Sequence, residues 1–139
     1  LVSKEKNMKN KEGKTRLSAP ECNSALSAVG DALYVIGGKW KLRIIIALTE
    51  GNKRFNDLQR RVEGISARVL SNELKDLEMN GFVKRSVDTK AKPVVVQYEL
   101  TDYSDTLDEV LTALHNWGRQ HRENIMQRSR KMKLEEVEA

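Results

Sequence analysis

This 139-residue chain is predicted to be mainly helical, with one small β-hairpin. Three observations carry that prediction. Apolar residues recur at intervals of three and four through most of the chain. Two strand-like stretches, 82–87 and 94–100, lie on either side of Thr89-Lys90-Ala91-Lys92-Pro93. Cap residues or glycines bound the periodic stretches.

Residues 1–19 are Lys-, Glu- and Asn-rich with little apolar content, and are expected to form a basic disordered arm. Ser18-Ala19-Pro20-Glu21 has the form of a capping box, so a helix is expected over 20–36. Its apolar stripe is Leu26, Val29, Leu33 and Ile36, with Cys22 one turn earlier. Gly37-Gly38 ends it, because glycine accepts the left-handed turn past a helix end. A second helix is expected over 39–49, apolar almost all round from Trp40 to Leu48 and therefore central to the core. Phe55, Leu58 and Val62 mark a short third helix, stopped at Glu63-Gly64.

Ser66 is the expected N-cap of a fourth helix, which extends to Met79. There Leu70, Leu74 and Leu77 share one side, while Arg68, Asn72, Lys75 and Met79 lie opposite with Ser71 at the edge. Asn80-Gly81 stops it, and the hairpin 82–100 follows. A last helix is expected over 102–126, with Leu107, Val110, Leu114, Trp117 and His121 spaced 3, 4, 3, 4 as in a heptad seam. Residues 127–139 are read as a charged, frayed tail.

Composition narrows the functional classes. The longest apolar run, Ile44 to Leu48, falls far short of the ~18 residues of a membrane span. The charged N-terminus has no signal-peptide pattern, and a cytoplasmic protein is expected. A single cysteine excludes an intrachain disulfide framework, and two histidines leave little for a metal site. There is no phosphate-binding glycine loop and no HExxH, so neither enzyme nor cofactor is expected. The net charge of +5 is unevenly spread. Residues 37–92 hold thirteen Lys/Arg against seven Asp/Glu, a net of +6, whereas 93–126 hold two against six, a net of −4. A basic centre followed by an acidic segment suits a nucleic-acid face and a separate role for the C-terminal part.

The element order is three helices and a reading helix, then strand, basic turn, strand and long helix. That is the winged helix-turn-helix arrangement, in which the second motif helix enters the major groove. Arg68 and Asn72 are side-chain types that read base edges. Lys75 suits a phosphate, and Ser66 and Ser71 complete the exposed face of the reading helix. Lys39, Arg54, Arg85, Lys90 and Lys92 are the phosphate and wing candidates. Lys39 and Arg54 sit at expected helix starts, where backbone N–H groups also favour phosphate. Trp40 is expected in the core.

The residues also resemble a known family. Cys22, then Ile36-Gly37-Gly38-Lys39-Trp40-Lys41, Arg54-Phe55-Asn56-Asp57-Leu58, Gly64-Ile65-Ser66, Leu70 to Glu78, Gly81 to Arg85, Tyr98 to Thr101 and Trp117-Gly118 are similar to HxlR-type bacterial regulators. The similarity covers roughly 22–126. It implies a homodimeric winged-helix transcription factor allied to the MarR group, dimerising through its N- and C-terminal helices. The interface candidates are then Leu26, Val29, Leu33, Leu107, Val110, Leu114, Trp117 and His121. Three positions depart from the family pattern: Asn23 stands where proline is frequent, Ser104 lies near where a glycine is usual, and Val95 stands where arginine often precedes the Val-x-Tyr of the second wing strand.

Two readings of Cys22 follow. It is a small apolar residue buried on the first-helix stripe, or a thiol sensor as in some members of that family. A helix N-terminus favours the reactive thiolate. The implied partners are a second copy and a pseudo-palindromic DNA duplex, with no membrane and an unnamed effector. The competing class is a winged helix used as a protein-interaction module, in which the outer face of 66–79 need not be polar and basic and the +6 segment has no role.

Overall fold

The computed structural model describes residues 8–9 and 15–139. Most of the expected arm lies outside the described residues. Within it, β1 (Met8–Lys9) pairs antiparallel with β2 (Thr15–Arg16).

Helix α1 (Ala19–Ile36) starts as its cap predicts: the Ser18 Oγ accepts the Glu21 N–H at 3.4 Å. The two glycines after it act differently. The Gly37 N–H donates to the Leu33 carbonyl at 2.8 Å, and a Cβ at Gly37 would lie 2.1 Å from that oxygen. Gly38 is the residue with left-handed backbone, at φ 94°. Helix α2 (Lys41–Leu48) buries Ile44, Ile45, Ala47 and Leu48. It is not apolar all round in use, since Arg43 and Ile46 face outward.

Helix α3 (Phe55–Arg61) buries Leu58 and half-buries Phe55. A turn holding the buried Val62 and Ile65 leads to α4 (Ala67–Met79). The Ser66 Oγ accepts the Val69 N–H at 3.2 Å, as expected of an N-cap. Leu70, Leu74 and Leu77 point inward and are at most 1% exposed, which fixes the opposite row outward.

Strands β4 (Val83–Asp88) and β5 (Val95–Leu100) form the hairpin, in register from Val83 opposite Leu100 to Asp88 opposite Val95. A third strand that periodicity does not reveal, β3 (Lys53–Arg54), pairs with the other side of β5. The sheet order is therefore β3-β5-β4. The core joins Ile36, α2, Leu58, the α3–α4 turn and the inner face of α4 to Phe82, Val83 and Leu107.

The C-terminal helix departs from its expected bounds at both ends. Asp102–Leu107 is a 3-10 turn, in which the buried Ser104 donates its hydroxyl to the Thr101 carbonyl at 2.6 Å. Helix α5 then runs from Asp108 to Glu138, through the residues read as a frayed tail. At 1.5 Å per residue its 31 residues extend about 46 Å. None of them is buried, and only Leu111 packs against the core from α5. Among the described residues no helix is long and apolar enough to cross a membrane.

Candidate nucleic-acid interface

The outer row of α4 is Arg68, Asn72, Lys75 and Met79, all exposed. Ser71 is half-buried at its edge, and Ser66 lies at the N-terminal end with its oxygen already accepting the cap bond. On the flank, the Lys39 ammonium lies 4.7 Å from the Trp40 ring centre and the Arg43 guanidinium 5.6 Å from it. The half-buried indole packs on the core, as expected, and also carries two cations on its faces.

The wing candidates are separated in space by their elements. Arg85 is exposed on β4, opposite Tyr98. Lys90 and Lys92 are exposed at the tip, where the Lys90 N–H donates to Asp88 Oδ1 at 3.0 Å. Arg54 is exposed, caps α3 and pairs in register with Gln97 of β5, so the third strand ties the start of α3 to the base of the hairpin. Among the described residues, Arg68, Lys75, Lys39, Arg54, Arg85, Lys90 and Lys92 are in no ion pair. Lys84 by contrast lies 3.7 Å from Glu99, and Arg60 and Arg61 pair with Asp57 and Glu50.

Lys41 was not among the expected site residues. It sits in the first turn of α2, and its side chain is 14% exposed. Its Nζ lies 2.7 Å from Glu73 Oε2 and 3.5 Å from Asp76 Oδ2, both on α4. The close Glu73 carboxylate raises its pKa above the ordinary 10.5. Burial opposes that rise, and the charges of Glu73 and Asp76 add to it. The only sequence signal was a lysine placed at a helix N-terminus, where the dipole disfavours a cation and no acid of that first turn compensates.

A second surface lies on α1 and α5. Only Ile36 of α1 is buried, and Leu26, Val29 and Leu33 are exposed with Tyr34 beside them. On α5, Val110, Leu114 and Trp117 are exposed, and His121 stacks on Trp117 at 4.8 Å between ring centres. Leu107 does not belong with them. A 3-10 turn advances about 120° per residue rather than 100°, which breaks the heptad phase, and Leu107 is buried in the core at 7% exposure. Cys22 is exposed, so within one chain it is not buried as the packing reading has it: the α1 stripe meets the core only at Ile36. Between α2 and α5 runs a groove of about 490 Å³ whose lining includes Leu42, Ile46, Leu111 and Leu114, with Arg43 and Arg119 at its rim.

A helix-turn-helix of α3 and α4 followed by a hairpin, whose sheet is completed by the strand before α3, defines a winged-helix transcriptional regulator. The chain belongs to the HxlR-like helix-turn-helix family, whose model matches residues 35–126. The HTH-type transcriptional regulator YtcD of Bacillus subtilis (strain 168) is 39% identical over 94 residues, 68% of this chain and 74% of YtcD. A crystal structure of ytcD superposes with a TM-score of 0.65, covering 68% of this chain and 96% of that one. The redox regulator HypR in its reduced form gives 0.66 at 35% identity, covering 72% and 98%. The reduced form of the transcriptional regulator YodB from B. subtilis gives 0.57 at 33% identity, covering 75% and 94%. YodB is also known in diamide-treated and quinone-bound forms.

Proposed function

We propose that this transcriptional regulator acts as a homodimer on a specific pseudo-palindromic DNA duplex, with Cys22 as a sensor of oxidants or electrophiles. The observation that carries the DNA-binding part is the outer row of α4. Arg68, Asn72 and Lys75 are exposed together, and neither cation is in an ion pair among the described residues. Arg68 and Asn72 read base edges in the major groove, and Lys75 meets a phosphate. Ser66 and Ser71 offer hydroxyls along the same face. Lys39, Arg54, Arg85, Lys90 and Lys92 hold the backbone on either side, the last two from the wing.

The dimer is supported by the two unpartnered apolar faces. Leu26, Val29 and Leu33 on α1, and Val110, Leu114, Trp117 and His121 on α5, lie outside the core of a single chain. Helix α1 contains Glu21 and Asp31 and no lysine or arginine, which complements the arginine-rimmed α2–α5 groove. A two-fold dimer sets its reading helices about 34–36 Å apart, one turn of DNA.

The sensor role is supported by the exposure of Cys22 in the first turns of α1, beside that interface, and by the redox character of the similar HypR. With one cysteine per chain, oxidation yields a disulfide between subunits or with a small thiol, releasing two electrons to the oxidant.

The test is selection of bound duplexes from a random pool, followed by fluorescence anisotropy at two salt concentrations. Enrichment of a palindrome with salt-dependent affinity is expected. Absence of binding by a reduced, dimeric sample overturns the DNA-binding reading and leaves the protein-interaction module.

A further inference from the structure

A helix that approaches a polyanion should not itself be anionic, yet α4 is. Between Ala67 and Met79 it holds Arg68 and Lys75 against Glu73, Asp76 and Glu78, a net charge of −1. The fold resolves this with a cation from another element. Lys41 projects from the first turn of α2 and lies within 3.5 Å of both Glu73 and Asp76. Its own helix gives it no reason to be there, since a cation in a first turn opposes the helix dipole and α2 has no acid in that turn. Glu73 is mostly shielded, with its side chain 22% exposed, whereas Asp76 is 54% exposed and next to Lys75 on the chain.

We infer that Lys41 is the built-in counter-ion of the reading helix: its single charge, shared between the Glu73 and Asp76 carboxylates, offsets the net −1 of α4, so that Arg68 and Lys75 meet DNA on a helix without net negative charge. Lys41 itself touches no phosphate. It determines affinity indirectly, by removing like-charge repulsion at the face where the backbone of the duplex arrives. This rests on the proposal that α4 reads DNA.

The roles can be separated on the selected duplex by anisotropy, with thermal unfolding as a check on each variant. Lys41→Met keeps length and apolar bulk and loses the charge. In a dimer it removes two positive charges from beside the carboxylates, each worth roughly twofold at a surface, so affinity is expected to fall roughly fourfold. Lys41→Arg is expected to restore it. Adding Glu73→Gln and Asp76→Asn to Lys41→Met is expected to bring binding back to the wild-type level or tighter, with the wild-type salt slope. The double variant Glu73→Gln/Asp76→Asn with Lys41 intact is expected to bind at least as tightly as wild type, and it tests the inference even if Lys41→Met fails to fold.

Undiminished binding by a folded Lys41→Met overturns the inference. So does a triple variant as weak as Lys41→Met, with a shallower salt slope pointing to Lys41 as a phosphate contact. A fourfold loss in Glu73→Gln/Asp76→Asn also overturns it, because the ion pairs would then act by holding geometry rather than by offsetting charge. A wild type that binds no duplex is a different failure, which removes the DNA-binding reading on which this rests.

Discussion

Replacing Lys75 with alanine removes one exposed cation from the middle of α4 without touching the core side of that helix. The size of the effect follows from counting charges. Six cations per protomer are placed as phosphate contacts: Lys39, Arg54, Lys75, Arg85, Lys90 and Lys92. A dimer would present twelve, and each neutralised phosphate contributes about −0.9 to the slope of log affinity against log salt, so the slope can be no steeper than about −11. Lys75→Ala takes away two of these contacts at once and should make the slope shallower by about 1.8. Between about 50 and 200 mM salt, the wild-type advantage over the variant should therefore shrink roughly twelvefold. Anisotropy titrations over four salt concentrations measure this directly. Arg68→Ala is the contrast: as a base reader it should relax selectivity at one position of each half-site at a cost of roughly 1–3 kcal/mol. An unchanged slope for Lys75→Ala refutes the phosphate assignment, and a change near 0.9 indicates that only one protomer engages the duplex.

Three further outcomes are expected. Leu33→Asp places a charge on the exposed stripe of α1 and should yield a folded monomer by sedimentation, with DNA affinity lower by about a hundredfold through lost bivalency; a dimer of unchanged strength counts against the α1 interface. Cys22→Ser should bind DNA like wild type and lose any response to diamide or a quinone, and a response that persists in this variant removes the sensor role. Leu74→Ala empties a site that is 1% exposed and should cost about 2–5 kcal/mol in urea unfolding, whereas a cost well under 1 kcal/mol would mean that the inner face of α4 is not packed as described.

The features legible in the sequence are those set by local chemistry. Ser18 and Ser66 cap the helices they precede because the bond they make spans three residues. The leucines at 70, 74 and 77 orient α4, and that orientation places Arg68, Asn72 and Lys75 outward. What escaped depends on distant partners or on a change of helical phase. Strand β3 has only two residues, and what defines it is pairing with Tyr98 and Gln97. Leu107 fits a heptad on paper, but the chain reaches it through a 3-10 turn. Helix α5 continues past 126 because Gln, Arg, Lys, Met, Leu and Glu are strong helix formers, and Lys131 and Glu135 stand one turn apart. A test based on an apolar stripe does not register such a stretch. Lys41 escaped because its role lies in a contact between α2 and α4 that no spacing along the chain encodes.

The division between core and projecting helices has a consequence for regulation under the proposed reading. The buried set is drawn from α2, α3, α4, their connections, the hairpin and the 3-10 turn that follows it, with Ile36 as the sole buried residue of α1 and none from α5. A protomer is therefore complete without its partner, and the separation of two reading helices is governed by how α1 and α5 meet their counterparts. Cys22 lies on α1, away from the core and exposed. A modification there can alter the distance between half-site readers while leaving Leu70, Leu74 and Leu77 packed as before. An error of a few ångströms in a spacing that must match about 34 Å of DNA lowers affinity for the palindrome without unfolding anything. Oxidation should thus weaken operator binding at constant unfolding free energy of the protomer core, and a parallel loss of stability would place the thiol's influence in the core instead.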